Sequence, residues 1–396
     1  MRILSVHNRY LIRGGEDESR EAEENLLRQM GHQVDVYEED NQTIASLSKV
    51  QALTQTIWSK PTYRKVREQL SQATYDVVHI QNFFPIISPS AHYAAQAAGV
   101  PVVQTLRNYR LLCPNALFFR DNQVCEDCLG KKIPYPGIIH RCYRESLPAS
   151  IGVTAMLTTH RVLKTWTRKV NLYIALTNFA RDKYVQGGLP PDKIVVKPNF
   201  VSPDPGVGQG QGGYALYVGR LSVEKGLDTL LAAWKQLNGK LPLKIVGDGP
   251  LADDVKATVQ SLTDVEWLGI KPMAEVHALM GDATVLIFPS KWYETFGRVA
   301  VEAFAKGTPV IGANIGAIQG LIDPGCTGLH FEPGNAEDLA LKVAWLVDHP
   351  ETLKQMRLAA RSEFENKYTA QINYEMLINI YHNAIEHHRS LTKVLG

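Results

Sequence analysis

Glu294 and Glu302 stand eight residues apart, and between them runs Thr295-Phe296-Gly297-Arg298-Val299. The apolar run before them, Thr284–Phe288, reads as a buried strand, and a helix is predicted to start near Arg298. Glu294 then lies on the loop above a sheet, and Glu302 about a turn into the helix. Backbone N–H groups from Gly297 to Ala300 can bind phosphate or hydroxyl oxygens there. Carboxylates suit sugar hydroxyls, which donate to them. Upstream, Arg220 and Lys225 sit on one turn after the strand Ala215–Val218. Two cations at the carboxyl end of a parallel strand can neutralise a diphosphate without a metal. Taken singly, each Glu reads equally as a surface acid, and the two cations equally as solvated loop charges. Gly14-Gly15 opens an acidic helix and would let a phosphate or sugar approach the backbone, although a plain turn explains it as well. His79 ends another strand, where a catalytic imidazole and a hydrogen-bonded structural one are equal readings.

The elements that must position these residues alternate strand and helix. Further strands are expected at Ile3–His7, Val34–Tyr37, Val77–Ile80, Val102–Thr105, Leu172–Leu176, Leu243–Val246 and Val310–Gly312. Near-continuous apolar runs of this kind suit parallel sheets buried on both faces. The fold class is therefore α/β, two doubly wound Rossmann-like units. The break falls in Asn199–Gly213, rich in Pro, Gly and Ser, which reads as a linker or hinge. We expect a first domain over 1–200, a second over 201–369 and a terminal helix over 370–396. An apolar stripe in that helix, from Ile372 through Leu377, Ile380 and Tyr381 to Ile385, would let it pack back on the first domain.

A chain of 396 residues, 45% hydrophobic and 21% charged, excludes wholesale disorder. No apolar run is long enough for a membrane helix, and the N-terminus lacks a signal-peptide pattern. The net charge of +2 argues against nucleic acid as a partner. That balance hides an asymmetry: residues 1–200 carry +7 and the remainder −5, and residues 101–170 alone carry +7. An anionic partner and a solvated basic surface explain this equally. The stretch Ala149–Val170, with five basic side chains, could meet anionic lipid. There is no GxGxxG fingerprint, which argues against an NAD enzyme.

Four cysteines cluster as Cys113, Cys125, Cys128 and Cys142 in a loop-rich insertion over about 110–145. One C-x2-C pair with two outlying thiols suggests a structural zinc, with disulfides or unrelated thiols as the alternatives.

The run YVGRLSVEKGLDTLLAA, then KIVGDGPL, WLGIKP and FPSKWYETFGRVAVEAFAKGTPVIG, resembles the retaining glycosyltransferases of family 4, with the GT-B fold. YDVVHIQN and IALTNFARDKYVQGGLPPDKIVVKPNFV fit as well, so the resemblance covers essentially the whole chain. It implies two domains facing a cleft, with the terminal helix crossing to the first. Arg220 and Lys225 would then hold a donor pyrophosphate. Glu294 would accept from the transferred sugar, beside N–H groups of Thr295, Phe296 and Gly297. Arg298 and Val299 would offer N–H groups to phosphate, Glu302 would bind ribose, and Ile270 would contact the base. Gly14 and Gly15 would line the diphosphate. Where relatives carry His-Asp, this chain has Arg107-Asn108, which puts the role of Asn108, counted with His79 among the catalytic candidates, in question. Arg107 cannot act as acid or base near neutral pH.

The resemblance implies hexose transfer from a nucleotide sugar, with UDP-glucose the first expectation and GDP-mannose the second. The acceptor would be a glycan or lipid-linked hydroxyl. No D-x-D motif occurs, so metal-independent catalysis is expected. A cytoplasmic location, peripheral at the inner membrane face, and a role in polysaccharide biosynthesis fit the same picture. The alternatives are a nucleotide-sugar epimerase on the same fold and an inactive sugar-nucleotide binding protein.

Overall fold

In the computed structural model, which describes residues 1–11 and 14–395, the chain forms two compact units. Ile12 and Arg13 lie outside the described residues. One unit comprises Met1–Phe118, Glu126–Pro198 and Asn373–Gly396; the other comprises Phe119–Cys125 and Asn199–Ile372.

The first unit holds β1 (Arg2–Arg9), β2 (Gln33–Asp40), β3 (Val77–Asn82), β4 (Val102–Leu106), β7 (Leu172–Ala175) and β8 (Ile194–Val196); a short hairpin, β5 (Phe119–Arg120) and β6 (Gln123–Val124), intervenes in the chain. The six sheet strands are parallel, in the order β2-β1-β3-β4-β7-β8. The second unit repeats the plan with β9 (Ala215–Val218), β10 (Leu243–Val246), β11 (Val265–Trp267), β12 (Val285–Phe288), β13 (Val310–Ala313) and β14 (Gly328–Phe331), in the order β11-β10-β9-β12-β13-β14. Each sheet grows outward from its first strand, then jumps back to that strand's other side. The crevice at that reversal is where open α/β sheets bind ligands.

The helices that matter here are α1 (Gly15–Gln29), α2 (Leu147–Val162), α3 (Leu227–Leu237), α4 (Arg298–Ala305) and α5 (Ala370–Leu395). The second core packs Leu230, Leu231 and Trp234 of α3 against Leu243, Ile245 and Ile287 of the sheet. Trp234 also donates through Nε1 to the carbonyl of Leu241 at 2.7 Å, so its polar atom is satisfied inside.

The terminal helix α5 completes the first core. Its Leu377, Ile380, Tyr381 and Ala384 are buried among Ile3, Val77, Val103 and Ile174. Burying each large side chain stabilises by about 1.5–3 kcal/mol. This is the stripe that the apolar spacing predicts. The Pro- and Gly-rich stretch behaves otherwise than a free linker. Gly208 N–H donates to the carbonyl of Lys306, Gly210 N–H to Gly281 and Gly212 N–H to Asp282, at 2.8–2.9 Å. The Arg357 guanidinium donates to the carbonyls of Gly208, Gly281 and Ala283. Residues 208–212 are thus tied by their backbone to the second unit, while the boundary between the units falls at Pro198 and Asn199, where the expected break begins. Among the described residues no helix is long and apolar enough to cross a membrane.

Candidate active site

In the second unit the reversal lies between β9 and β12, and the loops after both strands carry the predicted residues. After β9 the chain passes Arg220, makes a single helical turn at Val223–Lys225, and enters α3 at Gly226. Gly226 has φ +72°, and a Cβ there would come within 1.9 Å of the Pro289 carbonyl oxygen. Only glycine lets the β9 and β12 loops touch backbone to backbone. Gly247, after β10, has φ +134° and would place a Cβ 1.9 Å from the carbonyl oxygen of Gly219. Three loops are therefore braced against one another at the carboxyl ends of their strands.

This bracing brings Lys225 to Glu294. The Nζ donates to Glu294 Oε1 at 2.6 Å, and the same oxygen accepts from Ser290 Oγ at 2.8 Å and Trp292 Nε1 at 2.9 Å. The Lys225 ammonium also lies 5.3 Å from the centre of the Trp292 ring. Glu294 is buried and Lys225 half-buried, whereas Arg220 is exposed. Gly297 caps α4, and Arg298 Nε donates to Glu302 Oε1 at 2.8 Å. Glu302 is buried, at 3% exposure. Ile270 is 74% exposed on the loop after β11, whose Gly269 carbonyl accepts from Gly247 N–H at 2.9 Å. Lys225 and Glu294 are thus in contact, Glu302 lies one helical turn beyond the α4 cap, and the α4 N-terminus with Thr295–Val299 adjoins them. Ser290 and Trp292 escaped the sequence reading. Their position within four residues of Glu294 was the available signal.

In the first unit the reversal lies between β1 and β3. Gly14 caps α1, and its N–H donates to Asp17 Oδ2 at 3.1 Å. Asp17 also accepts from or pairs with His7 Nε2 at 2.8 Å. Burial opposes ionisation of Asp17, but His7 and the Gly14 N–H outweigh it and hold its pKa below the usual range. A Cβ at Gly14 or Gly15 would meet nothing within 4 Å. The φ of Gly14 is −146°, an ordinary extended value. Packing does not demand glycine at either position.

A small cavity opens at the carboxyl ends of β3 and β4, lined among others by Gln81, Phe84, Thr105, Arg107, Asn108 and Arg110. The Asn108 amide donates to Tyr10 OH at 3.2 Å and to Glu16 Oε1 at 3.0 Å. The Arg110 guanidinium lies over Phe84 and Tyr143, 4.2 and 4.9 Å from the ring centres. Arg107 is buried and donates through Nε and Nη2 to Gln81 Oε1.

His79 belongs to the interior. Its Nδ1 pairs with Tyr381 OH and its Nε2 with Thr105 Oγ1, both at 2.7 Å, and it is 1% exposed. Burial is the main cause that lowers its pKa to about 4, so the ring is neutral near pH 7. Both ring nitrogens are occupied and the ring anchors α5, which favours the structural reading of His79 over the catalytic one. Beside it, Glu23 accepts from Gln81 Nε2 at 2.6 Å and from Lys197 Nζ at 2.9 Å. Lys197 also donates to Asn373 Oδ1 of α5 at 2.8 Å. Burial works against the Glu23 carboxylate, yet Lys197, His79 and Arg107 prevail and lower its pKa to about 2.

Cys113 and Cys128 are buried, and Cys125 and Cys142 half-buried. Among the described residues no group of three or more His, Cys, Asp or Glu side chains is arranged to hold a metal. The zinc reading of the four cysteines rests on their spacing alone.

Two family models match the chain in succession: Glycosyl transferase 4-like domain over residues 11–199 and Glycosyl transferases group 1 over 208–363. The chain belongs to the group 1 glycosyltransferases. Among curated relatives it is 31% identical over 192 residues to an uncharacterized glycosyltransferase of Methanocaldococcus jannaschii, covering 47% of this chain and 54% of that protein. It is 34% identical over 162 residues to a glycogen synthase of Mycobacterium tuberculosis, covering 39% of each. The chain thus spans about half or less of these relatives. Among solved structures, Anabaena HepE in complex with UDP-glucose matches with a TM-score of 0.68 at 18% identity, covering 96% of this chain and 99% of that one. A sucrose-phosphate synthase of Thermosynechococcus elongatus gives a TM-score of 0.71 at 16% identity, covering 96% and 98%. At such identities these likenesses show the fold, which is GT-B.

Proposed function

We propose that this group 1 glycosyltransferase is a retaining enzyme that moves a hexose, glucose from UDP-glucose in the first instance, to an acceptor hydroxyl. The observation that carries the reading is the Lys225–Glu294 pair at the reversal of the second sheet, beside the N-terminus of α4. A relative of the same fold holds UDP-glucose, which makes that donor the first to test.

Glu294 Oε1 accepts from the Lys225 ammonium at 2.6 Å. A donor diphosphate competes for that cation, and Arg220, exposed on the same turn, supplies a second. Glu294, still gripped by Ser290 and Trp292, is then left to accept from hydroxyls of the sugar. N–H groups from Thr295 to Val299 face the phosphate, Glu302 accepts from ribose hydroxyls, and Ile270 lies against the base. Gly14 and Gly15 leave the space above α1 open, as close approach of a ligand would require.

In the transfer, the bond from the anomeric carbon to the diphosphate oxygen breaks and its electron pair leaves with the phosphate. The acceptor oxygen bonds to the same face of that carbon, and its proton passes to a leaving phosphate oxygen. Lys225 and Arg220 stabilise the charge that develops on the diphosphate. These residues give the chemistry its cations, and a metal-independent reaction is expected.

The test is nucleotide release from a panel of UDP-, GDP- and ADP-sugars without acceptor. Release from UDP-glucose alone supports the reading in full. Release from GDP-mannose moves the donor assignment, while conversion of donor to an epimer without release replaces transfer with epimerisation. Binding of UDP with no turnover on any donor identifies an inactive binding protein.

A further inference from the structure

The exposed apolar side chains of this molecule are unevenly spread. Among the described residues, seven of the eighteen large apolar side chains that stand exposed fall between 133 and 163. Ile133 and Tyr135 lie on the segment before α2, and Ile139 ends the single helical turn Pro136–Ile139 within it. Leu147, Ile151 and Val162 lie on α2, and Leu163 ends it. At 3.6 residues per turn, Leu147, Ile151 and Val162 fall within about 60° of one another on the helix. They form one stripe along its outer face.

The opposite face of α2 is buried through Val153, Met156, Leu157 and His160. A helix that packs against a core on one side normally carries charge on the other. In LPASIGVTAMLTTHRV the only Lys, Arg, Asp or Glu is Arg161. That guanidinium is turned aside, donating to the carbonyls of Lys131, Lys132 and Leu111. It also ties the Lys131–Lys132 segment to the end of α2. The outer face is left apolar, with Ile151 43% and Val162 76% exposed.

The surrounding charge has one sign. Residues 131–169 contain eight Lys and Arg against one acid, Glu145. Lys132, Arg141, Arg144, Lys164 and Arg168 are exposed. Tyr135 stands at the border, with the Lys131 ammonium 5.4 Å from its ring centre. Exposed Ile, Leu and Val ringed by long cations, with a tyrosine at the edge, is the composition of elements that lie in a membrane interface. The cations keep their heads among phosphate groups while their stems follow the apolar surface down. A second copy of the chain fits poorly, because two such faces would bring like charges together.

We propose that this face of the first unit, α2 with the preceding segment from Lys131, docks on an anionic lipid bilayer. Leu147, Ile151 and Val162 enter the interface, and the basic rim meets the headgroups. The proposal stands apart from the transferase reading, since its test needs neither donor nor acceptor.

The full chain is sedimented with vesicles of phosphatidylcholine alone and with vesicles containing phosphatidylglycerol. Binding is expected to the second and far less to the first, and to weaken with salt. Each Lys or Arg near an anionic surface contributes about a fivefold factor. The Lys164→Glu/Arg168→Glu variant should therefore bind at least about 25-fold more weakly. Ile151→Glu/Val162→Glu should abolish binding without changing thermal unfolding or UDP affinity, because both side chains already face water. Failure of the wild type to bind anionic vesicles overturns the proposal, as does equal binding by the Ile151→Glu/Val162→Glu variant. A dimer that the same pair of substitutions dissolves, with no vesicle binding, assigns the face to a second copy instead.

Discussion

The two sheets share one strand plan, yet the charges beside their reversals are used in opposite ways. In the second unit Lys225 is half-buried, and on the proposed reading it leaves Glu294 for a ligand. In the first, Glu23, Arg107 and Lys197 are sealed at 5% exposure or less, and they bind Gln81, one another and α5. The difference is solvent access. A pair with one half-buried partner is more readily exchanged than a sealed one. A buried pair is held by the cost of leaving either partner alone. Topology therefore provides the position, and burial decides whether the charge there serves a ligand or the fold.

The contrast breaks first in the buried network. Lys197→Ala leaves the Glu23 carboxylate without its cation, and should destabilise the protein by about 3–5 kcal/mol. Thermal or urea unfolding reads this directly. A loss below about 1 kcal/mol would mean that the first unit's charges are as exchangeable as the second's. At the other reversal, Lys225→Ala should leave unfolding nearly unchanged while lowering turnover by about 2–4 kcal/mol, roughly 30- to 1,000-fold. The donor screen above supplies the assay, and near-normal turnover would transfer the diphosphate role to Arg220 or another cation.

Acid sharpens the comparison. The folded pKa of His79 is lowered from 6.5 to about 4, so the unfolded chain takes up its proton first. Its contribution to stability is complete above pH 6.5 and is lost as pH falls from 6.5 towards 4. Glu23, lowered from 4.5 to about 2, extends the loss, since its contribution is present above pH 4.5 and disappears towards 2. Stability measured from pH 7 to 4 should fall, and about 2–3 kcal/mol of that fall should be absent in His79→Gln. An unchanged slope in that variant would show that other buried histidines, such as His92, govern the window. The smallest effect is expected from Trp292→Phe, which removes one of the three donors to Glu294 Oε1. A loss of about 1 kcal/mol, near fivefold in turnover, fits a carboxylate still held by Ser290.

The strands that run through the sheet centres were legible because burial on both faces leaves an unbroken apolar run, as in VLIF of β12. The short strands β8, β11 and β14 were not, and each lies at a sheet edge, where one side lacks a neighbour and the apolar signal thins. The apolar stripe of α5 was readable, but Asn373 was not. It is a buried polar residue in that stripe, and its role depends on Lys197 and Pro198, about 175 positions away. The glutamate pair and Lys225 stood out through spacing, whereas the occupied nitrogens of His79 depend on Tyr381 and Thr105, which no local pattern could supply. The backbone bonds of Gly208, Gly210 and Gly212 were hidden for a related reason. Glycine enrichment signals flexibility in isolation, yet here it accompanies hydrogen bonding to Lys306, Gly281 and Asp282.

The backbone bracing at Gly226 and Gly247 has a consequence for how such a protein can diversify. Because the loops around Lys225 and Glu294 meet through main-chain atoms, their shape is largely insulated from the identity of neighbouring side chains. Ile270 projects from a loop fastened in the same manner, at the Gly269 carbonyl, and its own side chain touches little. Residues at such tips can be exchanged in the course of descent while the loops around Lys225 and Glu294, which on the proposed reading hold the diphosphate, keep their form. Change in which donor is accepted and retention of the means to act on it are thereby separable, each able to vary without first undoing the other.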